Sequence, residues 1–200
     1  MAPRSDAQLV QIVDAMAADA ARRGGAWVKC APGCTQCCIG VFPISQLDAE
    51  RLRAGVEELA AREPERANAV RARAREVVER LGAEFPGDAR TGILDPERGE
   101  EFEEFGNEEP CPALDLQTGL CDLYGARPIT CRVFGLPLRT PEGLGVCELC
   151  FQGASEEEIA ACAVDADYDG LEAVANAEVE RASGLSGNTI IAWALTTDRK

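Results

Sequence analysis

Nine of the ten cysteines of this 200-residue chain fall into two groups, and the chain contains no histidine. The first group is Cys30, Cys34, Cys37 and Cys38, within KCAPGCTQCCIG; the second is Cys111, Cys121, Cys131, Cys147 and Cys150. Thiolates gathered in this way are soft ligands suited to zinc, copper(I) or iron–sulfur clusters. Without histidine, a site built here must rely on sulfur, helped by carboxylates or backbone groups. A fold that uses these residues must organise itself around them.

Compartment decides how the thiols are read. The N-terminal stretch MAPRSDAQLVQIVDAMAADAARR has no basic start followed by an uninterrupted apolar run. That pattern argues against a signal peptide, and no run reaches the roughly 18 apolar residues a membrane span needs. The expectation is a soluble, cytoplasmic protein, in which dense cysteines point to metal or redox chemistry rather than disulfides. A net charge of −15 argues against nucleic acid or an anionic membrane as partner. Residues 95–109, DPERGEEFEEFGNEE, are acidic with Arg98 as the one cation. They read as a solvated linker, and Phe102 and Phe105 add the option of an acidic lid or a docking surface for a basic protein partner.

Only 5% of residues are aromatic while 46% are apolar, so the core must be largely Ala, Leu and Val. That composition favours helices. Leu9, Ile12, Val13 and Met16 make one stripe of a helix over 5–23, stopped by Gly24-Gly25. Ser45 and Asp48 fit a cap for a helix presenting Leu52, Val56 and Leu59. Pro64 suits the first position of another, with Val70, Ala74, Val77 and Leu81 on one face and Arg71, Arg73, Arg75, Glu76, Glu79 and Arg80 solvated. Ser155 to Glu158 open a further helix carrying Cys162 as a small buried hydrophobe, and Asp167 is expected to start another through Val179. Residues 82–110 show no period and read as an acidic loop. Extended pieces are expected near 120–124 and 132–136, enough for one short hairpin. The fold class predicted is mainly α: a single helical domain over 1–200 with an irregular cysteine-rich centre, its metal-binding segments at 28–42 and 111–150.

Spacing gives the thiols their chemistry. Cys34-x-x-Cys37 and Cys147-x-x-Cys150 let two sulfurs reach one metal while backbone N–H groups turn toward them. Cys37 and Cys38 are adjacent, so either they feed different sites or a multinuclear centre takes both. Nine candidates exceed the four needed by one zinc or one cubane cluster. Two centres, or one centre with redox or structural thiols, both satisfy the count. Arg127 and Arg132, with Tyr124 nearby, would offset the negative charge of an all-sulfur site or pair with nearby acids.

The stretches CAPGCTQCC and CPALDLQTGLCDLYGARPITCRVFG resemble the bacterial cysteine-cluster family described as zinc- or iron-chelating, the CxxCxxCC or YkgJ-like domain. The resemblance runs through Cys30, Cys34, Cys37, Cys38, Cys111-Pro112, Cys121, Tyr124, Arg127-Pro128, Cys131 and Arg132. The first spacing is three residues where the family's name has two, which sets Cys30 apart, and Cys147 and Cys150 fall beyond its firmest part. The resemblance implies metal binding. The expected function is an iron centre, as an iron–sulfur cluster, or a zinc centre held by the two clusters. Flagellin lysine N-methylases contain a similar cysteine domain, so a thiol-redox or methyl-transfer component is one alternative. A zinc-stapled interaction module is the other.

Overall fold

The computed structural model describes residues 4–140, 143–165 and 170–196. Helices dominate, as the composition predicts. The long ones are α1 (Arg4–Gly24), α2 (Gln46–Arg62), α3 (Pro64–Leu81) and α7 (Leu171–Ser183); the short ones are α4 (Gly99–Glu104), α5 (Ile129–Val133), α6 (Glu156–Ala161) and α8 (Ile191–Thr196). Asp167, expected to open α7, lies outside the described residues. No helix among those described is long and apolar enough to cross a membrane.

The apolar stripes become the core. Leu9 and Val13 of α1 are fully buried and pack with Leu47, Ile129, Val133, Ala175 and Val179, joining α1, α2, α5 and α7. Leu52, Val56 and Leu59 of α2 meet Val70 and Ala74 of α3 and Leu195 of α8. Ser45 caps α2 by accepting the Asp48 N–H at 3.2 Å. The Asp48 carboxylate does not return to the cap; it turns inward to Arg51 and accepts the Ile129 N–H at 3.1 Å. Pro64 stands at the start of α3, where its missing N–H costs nothing.

Among the described residues, strands are limited to three antiparallel pairs: β1 (Gly87–Asp88) with β2 (Ile93–Leu94), β3 (Leu114–Asp115) with β4 (Leu120–Cys121), and β5 (Leu138–Thr140) with β6 (Gly143–Gly145). Residues 132–136 are not the extended partner expected of them. Pro128 precedes a short helix instead, and Ile129 and Val133, four residues apart, bury the same face.

The acidic stretch also departs from expectation. Residues 82–110 hold β1, β2, a 3₁₀ turn at Pro96–Arg98 and α4. Phe105 and Phe85 are buried with Trp193, whose ring stacks on Phe85 at 4.3 Å and whose indole N–H donates to Ala89 O at 2.7 Å. Phe102 packs against the same cluster. Aromatic burial on one side is what gives an otherwise aperiodic, charged segment a fixed course, while Asp95, Glu97, Glu100, Glu101, Glu103, Glu104 and Glu108 face solvent.

Candidate metal centre

The cysteines sit on a layer of turns laid over the helices. After α1 the chain makes a 3₁₀ turn at Gly25–Trp27, loops through Cys30 to Cys34 with Cys34 N–H donating to Ala31 O at 2.9 Å, and makes a second 3₁₀ turn at Gln36–Cys38. Ile39 then forms an antiparallel bridge to Pro110. Cys111 N–H donates to Cys38 O at 2.7 Å and Gly40 N–H to Glu109 O at 2.9 Å. This backbone pairing sets Cys38 across from Cys111. The β3–β4 hairpin pairs Leu114 with Cys121, which carries Cys121 back toward Cys111. The short α5 supplies Cys131.

Mutual electrostatic influence sorts the thiols differently from the sequence. Beside burial, Cys38 feels Cys37, Cys111 and Cys121, Cys111 and Cys131 both feel Cys37 and Cys121, and Cys121 feels Cys37 after Arg127 and Asp122. Cys30 feels Cys150 most, then Cys34 and Cys147. The first sequence cluster is therefore split: Cys30 and Cys34 join Cys147 and Cys150 in an outer group, and Cys37 and Cys38 join the other three in an inner one.

In the inner group the Cys37 and Cys38 sulfurs lie 3.9 Å apart. The Cys38 thiol's hydrogen bond lowers Cys37 to about 6, with its own backbone N–H and the Arg127 charge adding to the effect against burial. Cys38 is raised in return, first by Cys37 and then by burial. Burial pushes Cys111 up to about 12 and raises Cys121 and Cys131 as well. In the outer group, enclosure of the Cys30 thiol pushes it up to about 12, although the residue as a whole is exposed.

The sulfurs do not close round a common point as they stand. Among the described residues no three cysteine or carboxylate side chains form a ready metal-holding set. Convergence lives in the backbone pairing and in the pairwise contacts. All ten cysteines are free thiols, and the inner donor set is all sulfur, the soft character that zinc and iron–sulfur centres use.

The two arginines part company. Arg127 lies over the Tyr124 ring at 3.6 Å and its charge reaches Cys37 and Cys121. Arg132 is turned away: it pairs with Asp14 of α1 at 2.9 Å and donates to Arg127 O and Gly125 O. It braces the turn and takes the acid-pairing course.

Other supports were not foreseen. Arg51 is buried between Asp6 and Asp48 and donates to Arg127 O at 3.2 Å. Together with the Asp48–Ile129 hydrogen bond it anchors the segment that aims Cys131. Arg66 and Arg73 of α3 both reach the buried Asp122 carboxylate at 2.5 Å, and Arg73 also donates to Pro112 O at 2.8 Å. Arg80 pairs with Glu109. Arg73 and Arg80, read above as solvated, thus clamp the cysteine-bearing segment to the helix. The signal was present: Arg66, Arg73 and Arg80 are seven residues apart, two helical turns each. Cys162 is buried as expected, but beside Cys150 and Phe151 and so adjoining the outer group.

The family model described as "Putative zinc- or iron-chelating domain", CxxCxxCC, matches residues 29–162. No curated protein matches the chain, and no solved structure does. The matched span covers well over half of the sequence and takes in all ten cysteines, including Cys30 and the Cys147–Cys150 pair that the motif reading had set apart. With its thiols gathered on a turn-rich layer over helices, this chain belongs to the CxxCxxCC family, the zinc- or iron-chelating domain family.

Proposed function

We propose that the inner group, Cys37, Cys38, Cys111, Cys121 and Cys131, holds the metal centre, with an iron–sulfur cluster as its occupant and zinc as the competing one. The observation that carries this reading is the Cys37–Cys38 sulfur separation of 3.9 Å, on a turn whose backbone pairs directly with Cys111. A tetrahedral thiolate site with metal–sulfur bonds of about 2.3 Å has sulfur–sulfur edges of ~3.8 Å, so two adjacent cysteines here sit at ligand spacing. Five donors exceed what a single tetrahedral ion takes, which favours a multinuclear centre. An iron–sulfur cluster would supply one-electron chemistry.

The chain's own residues have definite tasks around such a centre. Cys111 and Cys131 are half-buried, which limits the access of water to their thiols. Arg127 brings positive charge toward an all-thiolate set, and Tyr124 holds its guanidinium in place. The acidic face of 95–109 offers a basic partner charge alone, because Phe102 and Phe105 pack inward.

The test is metal and sulfide analysis of the full chain purified without oxygen, beside the Cys111→Ser/Cys131→Ser variant. Iron, acid-labile sulfide and visible absorption that vanish in the variant are the expected result. Colourless protein with zinc lost in the variant would replace iron by zinc. Metal content unchanged in the variant would overturn the inner site altogether.

A further inference from the structure

We infer that Cys30, Cys34, Cys147 and Cys150 form a second, separate metal site, a four-thiolate cage for a tetrahedral soft divalent ion of the zinc class. This inference adds to the metal reading of the inner group and stands without it, since no inner thiol is used.

Two turns are fastened to each other before any ion is considered. Phe151 N–H donates to Trp27 O at 2.9 Å, and Lys29 N–H points at Cys150 Sγ at 3.3 Å. Within the Cys147–Cys150 turn, Cys150 N–H donates to Cys147 O at 2.9 Å; within the other, Cys34 N–H donates to Ala31 O at 2.9 Å. Each turn is a tight one that keeps its two cysteines close in the chain, the spacing by which paired cysteines can share one ion.

Gly135 shows that space is reserved for sulfur. Its φ is +95°, a left-handed value, and a methyl group on it would overlap Cys30 Sγ and reach Cys150 Sγ at 3.7 Å. Two sulfurs from turns more than a hundred residues apart in sequence thus rest on one bare glycine. Phe151, directly after Cys150, has φ of +55°, the one left-handed non-glycine among the described residues. Its buried ring holds it there. A bulky residue kept in that region is strained, and such strain persists only where surrounding structure over-determines it.

Cys30 is exposed as a residue, and its thiol is turned toward Phe134 O at 3.6 Å. Cys150 is already buried and set by the Lys29 N–H. A closed set of four sulfurs leaves no open coordination position, which is the mark of a structural ion rather than a reactive one. That ion would tie the end of α1 to the segment after β6.

The experiment is zinc and iron content per chain of the full-length protein purified without oxygen, with cobalt(II) uptake by the metal-free chain as the optical probe. The variants are Cys147→Ser/Cys150→Ser and, with every thiol retained, Gly135→Ala; far-ultraviolet circular dichroism checks that each is folded. Loss of one zinc equivalent in both variants, with one tetrathiolate cobalt signal gone, is expected. The inner variant Cys111→Ser/Cys131→Ser should keep that zinc, and it would do so even if the inner group proved to bind nothing. Unchanged zinc and cobalt uptake in the two outer variants would overturn the second site. So would loss of all metal together in outer and inner variants alike, which marks a single shared centre, or iron rather than zinc as the ion lost.

Discussion

The helical body and the sulfur-bearing layer on it are held together by different forces. In the body, α1, α2, α3, α7 and α8 bury continuous apolar faces, and Leu9, Val13, Leu52, Val70 and Trp193 are almost wholly removed from water. Residues 27–43, 105–140 and 143–151 instead follow turns, the short α5, two small strand pairs, backbone bridges and arginine clamps, reaching the core through few side chains such as Leu123, Ile129 and Val133. Apolar burial is non-directional and tolerates modest repacking. A layer fixed by directed bonds has few ways to compensate when one is lost. The comparison assigns folding stability to the body and metal dependence to the layer.

Changes that separate the two follow in order of expected size. Trp193→Ala removes the ring stacked on Phe85 and should destabilise the body by about 4 kcal/mol in denaturant unfolding, while leaving the metal content of folded protein unchanged. Arg51→Ala attacks the joint between the regions, because it strands the buried Asp6 and Asp48 carboxylates and removes one of the two arginine donors to the Arg127 carbonyl. Loss of about 3 kcal/mol is expected for a broken buried ion pair, together with weaker metal retention on challenge with a chelator. Arg73→Ala loosens only the layer: Asp122 keeps Arg66, and the cost should be about 1.5 kcal/mol in the same unfolding experiment. Its metal should still be lost faster than that of the unaltered chain. If Arg73→Ala and Trp193→Ala changed metal retention equally, the distinction between the regions would fail.

The body was legible because burial and helical period report the same thing. Leu9 and Val13, or Val70, Ala74 and Val77, announce a face regardless of what lies opposite. The site was legible in composition but not in grouping. Cys37 and Cys38 stand next to Cys34 in sequence, yet they face Cys111 because residues 38–40 pair with 109–111, a long-range contact that spacing does not encode. Residues 82–110 lacked a period for a related reason: their order comes from Phe85 and Phe105 meeting Trp193 far along the chain. Arg66, Arg73 and Arg80 were readable as a stripe, but their partners Asp122 and Glu109 could only be found in three dimensions.

The most direct test of this division is amide hydrogen exchange along the chain, compared before and after metal is stripped by a chelator without oxygen. Exchange resolves local opening segment by segment. The account predicts protection lost in residues 27–43 and 105–151 and retained in α2, α3 and the buried face of α1. Loss of protection throughout the helices, or no change in the cysteine-bearing segments, would contradict it.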